Sequence, residues 1–485
     1  MKTNDVPDNT DTNTFEYRRV SGARLAFAMM HAASISCFAS AIGYVSYAAN
    51  LGFGISALLV GTLMTLARIF DGVTDPLISM LVDKINTKYG KIRIFMSAGW
   101  LIESVSLLCL YDWAAGKTNS VILFLVFYLL YYIGYTLQNM SGQMLSPVIT
   151  NDPKQRPMVG VWTTIYNYIN AIIFSMLVTV VLLPKYGNQY SAEMMGVIAK
   201  LAVGLSFVFL AVALIAISPI DKPENFVAKK NQQINFKVMK DVVLHNKALQ
   251  RFIVAATSDK LAMQIAGQAV ISTLLYGIII GNMVLSAILN MVAIVPSLIF
   301  AAIGGRYTAK KGSRDSVVFW TKVSIAVNVC FILLLLVTAR TAIAENKLCM
   351  ALFVILTLLA NGLRVAVSIG TSSMLADVVD YEAARSGNYM PGIVSGVYGF
   401  IDKVVSSFGA LIATASISLI GYTGTMPQPT DPKTMPIVLM GILLVYGVPI
   451  LGWVCTLFAM QNTPISKDGM VEIQKKIADL KKEEQ

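Results

Sequence analysis

Charge is what this sequence has least of. Of its 485 residues 13% are charged and 56% are hydrophobic, where a water-soluble chain carries roughly a quarter charged. The mean hydropathy is +0.66. That excludes a soluble globular protein, because apolar stretches of about 20 residues, enough to cross a bilayer, recur along the whole chain. Histidine is scarce, with two in all, and the five cysteines at 37, 109, 330, 349 and 455 make no pair at metal-ligand spacing. Zinc and disulfide frameworks are left without support. There is no GxxxxGK[ST] segment to cradle a nucleotide phosphate and no nucleophile-to-base spacing in the loops, so neither ATP-driven transport nor an enzyme is expected. The first twenty residues, MKTNDVPDNTDTNTFEYRRV, are polar and acidic before they are basic, and they do not read as a secretory signal. A net charge of +11 would point to nucleic acid in a soluble protein. Here cytoplasmic loops explain it, and no nucleic-acid partner or organic cofactor is expected.

What the sequence does have is a repeated span. Hydropathy places spans at 24–49, 54–82, 94–112, 120–146, 158–183, 195–218, 249–279, 283–305, 316–338, 347–376, 392–420 and 435–459. Several exceed the minimum length, which implies tilt or kinks. An even count puts both termini on one side. Lysine and arginine concentrate on that side, in KINTKYGKIR, NDPKQRP, the segment from Ile220 to Gln250, RYTAKKGSR and the tail from Ser466. By the positive-inside rule both termini are cytoplasmic. The longest such connection divides the chain into an N-terminal tail at 1–23, a six-helix bundle at 24–219, a linker at 220–248, a second six-helix bundle at 249–460 and a tail at 461–485. Two parallel six-helix halves around a central polar site are the layout of an alternating-access carrier. The basic turns after spans 2 and 8 echo each other. Positive-inside statistics alone would generate them, and gating by salt bridges is the added role expected of Arg68, Asp83, Lys84, Lys91, Arg93 and Arg306.

Ionisable residues inside a span are costly and face a cavity or a partner. Span 2 contains LARIFDGVTDP, in which Asp71 and Asp75 stand at i and i+4, one above the other on one helix face. Two like charges so placed repel. A Na⁺ or a proton between them removes the penalty; Arg68, one turn earlier, offers a plainer structural pairing. Two acids for one arginine leave a negative surplus, which favours a coupling ion. Lys403, well inside span 11 beside Asp402, reads as a fixed positive charge competing with that ion, the alternative being a stem that snorkels to the membrane edge. Arg364 lies deep in span 10 and needs an anion, a carboxylate or carbonyls; Glu382 and Asp377 are the candidate acids, but Asp377 is thirteen residues on, about 20 Å along an ideal helix. His31 in span 1 is either an interhelical hydrogen-bonder or a solute contact. Asp259 and Lys260 suit a local pair or the interface, and Glu103 suits a basic partner. Span 4, YYIGYTLQNMSGQMLSP, is the most polar, with Tyr135, Thr136, Asn139, Ser141 and Gln143 able to bind a solute or to glue helices together.

With LARIFDGVTDPLISMLVDKINTKYGKIR and MLADVVDYEAARSGNYMPGIVSGVYGFIDKVVSSFGALIA in this order, the chain resembles, over nearly its whole length, the glycoside-pentoside-hexuronide:cation symporter family of the major facilitator superfamily, to which the bacterial melibiose carrier belongs. The resemblance implies an all-α polytopic membrane protein with twelve transmembrane helices in two six-helix bundles. It implies that Asp71, Asp75 and Thr136 bind the coupling Na⁺ or H⁺ as the metal site, with Lys403 close by as a coupling residue. Melibiose-type members carry an acid in span 1 and another in span 4 that bind galactoside hydroxyls. Here span 1 reads RLAFAMMHAASIS, Asn139 and Gln143 stand where an acid and a tryptophan are expected, and Ser368 replaces an aromatic. Without those acids, Arg364, His31 and Lys403 leave the region basic. The expected solute is therefore a glycoside, a hexuronide or another sugar derivative, an anionic one included, contacted by His31, Tyr135, Asn139, Gln143 and Arg364. An uncoupled facilitator and a symporter of a non-sugar solute are the alternatives. The expected setting is a bacterial inner membrane, multi-pass, with lipid around a monomer.

Overall fold

The computed structural model describes residues 19–84, 90–117, 120–150, 155–222, 236–339, 343, 346–387, 390–461 and 463–483. Among these residues all regular structure is helical. Ten helices are long and apolar enough to cross a membrane: α1 (Gly22–Ile42), α2 (Ala57–Lys84), α3 (Ile92–Trp113), α4 (Val121–Ile149), α5 (Met158–Lys185), α6 (Ala192–Ile217), α9 (Ser313–Val337), α10 (Lys347–Ser386), α11 (Pro391–Leu419) and α12 (Met435–Gln461). Two bent pairs complete the series. They are α7, Lys247–Ala266 with Ala269–Ile279 at 63°, and α8, Met283–Val292 with Ile294–Lys311 at 42°. The twelve expected spans are thus ten continuous helices and two broken ones. In α8 the break has a covalent cause: Pro296 has no N–H for the carbonyl of Val292, where the first helix stops.

Capping follows the sequence. Ser21, Ser120 and Ser191 accept from backbone N–H groups three residues on and start α1, α4 and α6. Odd-numbered helices run from the terminal face to the opposite one, here called outer, and even-numbered helices return. Helices α1, α3, α4, α5 and α6 pack on one another, α7 to α12 do likewise, and α2 lies along α11 between the two sets.

On the terminal face, Asp221 does the work of a helix cap. Its carboxylate accepts from the backbone N–H groups of Lys91, Ile92 and Arg93 at 2.9, 3.1 and 2.9 Å, and the Arg93 side chain reaches it at 3.3 Å. A negative charge at the start of α3 is where the helix dipole favours it. Gly90, at φ +93°, both adopts the left-handed region and leaves the room that Asp221 fills. Two amphipathic helices, Phe236–His245 and Lys467–Glu483, lie against α10 and α11 on this face; Arg385 ties the first to α10 through Asp241 at 2.8 Å, and Gln474 ties the second through Asp380 at 2.7 Å.

On the outer face the two sets are stitched together. The Tyr47 hydroxyl donates to the carbonyl of Pro427 at 2.7 Å, Asn50 donates to the carbonyl of Gly424 at 2.9 Å, and the Ala57 N–H reaches the carbonyl of Thr423 at 3.3 Å. Gln428 accepts from the Tyr190 N–H at 2.8 Å and donates back to the Tyr190 carbonyl at 3.3 Å. Asp431 holds the loop in shape by accepting from Tyr422 and from the Gln428 N–H, each at 2.8 Å.

Candidate functional site

The i, i+4 spacing on α2 turns Asp71 and Asp75 to the same side, and α4 meets them with Thr136. The Thr136 hydroxyl oxygen is 2.9 Å from Asp71 Oδ1 and 2.9 Å from Asp75 Oδ1. A hydroxyl has one hydrogen, so it can donate to only one of these acids at a time, and the other carboxylate faces a lone pair. The remaining carboxylate oxygens meet α11. Lys403 Nζ lies 3.2 Å from Asp71 Oδ2 and is also bonded to Asp75 Oδ2. Arg68 Nη1 stands 3.8 Å from Asp71 Oδ2, with its guanidinium over the Tyr132 ring at 5.3 Å from the centroid. Asp71 is buried, whereas about a third of the Arg68 and Lys403 side chains remains accessible.

The arrangement corrects one expectation. Arg68 alone leaves a negative surplus on the two acids, but Lys403, 328 residues beyond Asp75 in sequence, completes the balance of two cationic and two anionic side chains. Lys403 does not snorkel outward, and Asp402, pointing elsewhere on the same helix, has a buried oxygen without a hydrogen-bond partner among the described residues.

The expected solute residues are not brought together in this way. Tyr135 packs edge to face on Tyr132 at 6.4 Å and borders a cavity of about 260 Å³ that also touches Arg68. His31 is buried at 6% exposure, bonded through Nδ1 to the Ala28 carbonyl at 3.0 Å, with its Nε2 in the space a Cβ at Gly142 would take; here it is an interhelical packing residue. Asn139 is half-buried, and Gln143 and Ser368 are exposed. Arg364 makes no ion pair with either candidate acid. Glu382 is held by Arg385 and by Asn246 at 2.8 Å each, and Asp377 accepts from Ser313. Arg364 itself is half-buried on α10, with no hydrogen bond or ion pair among the described residues. Asp259 accepts from the Trp453 indole at 2.9 Å, and Lys260 is exposed.

Of the gating candidates, Arg93 bonds Asp221 and the Ser218 hydroxyl at 2.9 Å, both on its own set of helices. Lys91 is buried beside it, Arg306 is exposed on α8, and the side chains of Asp83 and Lys84 lie outside the described residues. Glu103 departs from expectation. Buried at the α3–α4 interface, it has no basic partner, and neither oxygen accepts a hydrogen bond among the described residues.

Asp221, Tyr128 and Tyr132 are not among the residues expected from the sequence, whereas Tyr135 is. Asp221 gave no signal beyond a lone acid after span 6. Tyr128, Tyr132 and Tyr135 recur at helical spacing, a stripe visible in the sequence that a core reading absorbs. Among the described residues no group of three or more His, Cys, Asp and Glu side chains is set to hold a metal ion. The oxygen set at α2 and α4, two acids and a hydroxyl, suits a hard monovalent cation or a proton better than a transition metal.

The MFS/sugar transport protein family matches residues 24–467. The chain is 24% identical over 456 residues to a glucuronide carrier protein homolog of Escherichia coli (strain K12), covering 90% of this chain and 92% of that one. To the inner membrane symporter YicJ of the same organism it is 30% identical over 193 residues, 39% and 41% of the two chains. Among solved structures, the nucleoside transporter NupG superposes with a TM-score of 0.58 at 11% identity, over 91% of this chain and 100% of that one. At that identity the likeness concerns the fold alone.

Proposed function

This chain belongs to the MFS/sugar transport protein family, and from that premise we propose a symporter in which Na⁺ or H⁺, bound at Asp71, Asp75 and Thr136, drives a glycoside, hexuronide or related acidic sugar derivative across a bacterial inner membrane. In coarser terms the chain is a multi-pass membrane protein and a secondary active symporter of a small organic solute, not an enzyme.

One observation carries the finer reading. Lys403 on α11 occupies the carboxylates of α2 that a coupling cation would need. A cation entering between Asp71, Asp75 and Thr136 displaces the ammonium, since both seek the same oxygens. A proton on either acid loosens it as well, by removing the charge it binds. Either event exchanges a bond between the two six-helix bundles, 24–219 and 249–460, for a bond within the first. That exchange is what couples an ion to alternating access: the ion binds one arrangement of the bundles better than the other. The outer stitches mark the present arrangement as closed on the outer side. Both termini face the cytoplasm, and in a cysteine-less background Lys117→Cys and Asn188→Cys label from outside while Lys230→Cys stays protected.

Uptake of radiolabelled hexuronide and neutral glycoside into proteoliposomes, with an imposed Na⁺ gradient, an imposed proton gradient or neither, tests the reading. Accumulation above equilibrium under one gradient is expected. Equal, merely equilibrating uptake under all three conditions identifies an uncoupled facilitator and defeats it.

A further inference from the structure

The cavity beside Tyr135 lies on the outer side of the ion pairs. Each contributing residue sits further toward the outer face than the cation-site residue on its own helix: Arg68 before Asp71 on α2, Tyr128, Tyr132 and Tyr135 before Thr136 on α4, and Ser406 after Lys403 on α11. Gln264 from α7 completes it, so both sets of helices contribute. We propose that this chamber is the solute subsite, that it takes a single-ring, polyhydroxylated carboxylate, and that Arg68 receives the carboxylate. The proposal rests on the symport reading above for its coupling step only.

Size comes first. At about 260 Å³ the chamber falls just under the roughly 300–1,000 Å³ of drug-sized sites, which suits one sugar ring and not a chain of them. Its chemistry comes next. Four tyrosines, Tyr128, Tyr131, Tyr132 and Tyr135, line it and bring aromatic surface and hydroxyls suited to the C–H face and edge of a pyranose. The Gln264 side-chain amide makes no hydrogen bond among the described residues and can both donate and accept. Arg68 is the charged residue of the lining, and no acid shares it. Its guanidinium carries five N–H donors, has one carboxylate neighbour at 3.8 Å, and lies over the Tyr132 ring at 5.3 Å from the centroid with 38% of the side chain accessible. A planar fork so placed fits a carboxylate with two parallel hydrogen bonds.

Charge then explains the order of events. Arg68, Lys403, Asp71 and Asp75 balance while Lys403 holds the acids. When a cation or proton takes that place, the set gains one positive charge beside the chamber, and an anionic solute is the species that offsets it. Cation binding therefore raises affinity for the acid, and by linkage the acid raises affinity for the cation. A neutral sugar of the same shape gains nothing from the charge.

Binding of D-glucuronate and of its neutral counterpart D-glucuronamide to the purified full-length protein, by isothermal titration in Na⁺ and in choline and at two pH values, decides the matter. The wild type is expected to prefer glucuronate by about tenfold, and to bind it about tenfold more tightly with the coupling ion present. Arg68→Gln should abolish the preference while Na⁺ or protons still raise the melting temperature, showing the cation site intact. Arg68→Lys, which keeps the charge without the fork, should retain part of the preference, and Gln264→Ala should weaken both compounds alike. A wild type that binds neither compound, or both equally, overturns the proposal. So does a preference that survives Arg68→Gln, or one that is lost in Arg364→Gln and kept in Arg68→Gln. A preference that depends on Arg68 but ignores every cation supports the chamber and defeats the symport reading instead.

Discussion

Helix α4 has acids on two sides, and they live differently. On one side Asp71 and Asp75 share Thr136 and Lys403, both from other helices, while Arg68 stands beside Asp71 on their own. On the other, at the α3 interface, Glu103 is fully buried, and among the described residues neither of its oxygens accepts a hydrogen bond, nor do the Gln138 amide and the Tyr131 hydroxyl of α4 make one. Burial alone therefore does not mark the working acid. What distinguishes the first pair is that its bonds to Lys403 span the two sets of helices, so that a change of charge there bears on how the sets meet. Glu103 faces only its own set, and nothing moves with it.

The largest effect that sharpens this contrast is at the paired acids. Asp71→Asn and Asp75→Asn each remove a charged ligand, and gradient-driven accumulation in proteoliposomes should fall about 100-fold or more, the equivalent of roughly 3 kcal/mol. Unchanged gradient dependence for either variant makes that residue structural. Next is Lys403→Gln, which leaves two facing carboxylates without their ammonium. Breaking a buried pair costs about 3–5 kcal/mol; with Lys403 partly accessible, about 2 kcal/mol is expected, or roughly 2 °C in melting temperature in cation-free buffer. Na⁺ or mild acidification should restore most of it, and a loss that neither restores breaks the comparison. Glu103→Gln belongs at the other end. The acid makes no bond that the amide would forfeit, so the melting temperature and the accumulation ratio should hold, within about 1 kcal/mol. A loss of coupling in Glu103→Gln as large as in Asp71→Asn would place Glu103 in the ion path.

The smallest effect is at the surface. The hydrogen bond from Arg385, with a lesser contribution from His245, holds the exposed Asp241 carboxyl below the ordinary carboxylate value. A depressed acid adds stability that is present above its unfolded value, about 3.9, and is lost as pH falls through the lower, folded value. Hydrogen exchange in Phe236–His245 should accelerate only on strong acidification, while α2 and α11 remain protected; release of this helix near neutral pH would contradict the assignment.

The fold was largely legible because a bilayer leaves a chain few options. Length and hydropathy located the crossings, and only the two bends, one of them at Pro296, needed coordinates. The cation site was half legible. An i, i+4 pair of acids announces itself, and Lys403 is conspicuous in an apolar span, but that the two meet depends on how α2 lies along α11, which no local pattern encodes. The solute residues were least legible. Arg364 and His31 stood out for being polar in apolar helices, yet Arg364 does not line the chamber and His31 packs against Gly142. Arg68 was visible as a partner for Asp71 and as a gating residue, and of the tyrosine stripe Tyr135 alone was expected at the solute. Cavities form where side chains fail to meet, and sequence reports poorly on what fails to meet.

The outer stitches have an evolutionary consequence. In the Tyr47, Asn50 and Ala57 bonds the 420–434 loop supplies main-chain carbonyls, and Gln428 grips the main chain of Tyr190. A carbonyl is the same whatever residue carries it. The loop is thus free to change most of its side chains over generations while the closure made through its carbonyls is kept. Asp431, which shapes the loop from within through Tyr422 and Gln428, is where such drift should stop.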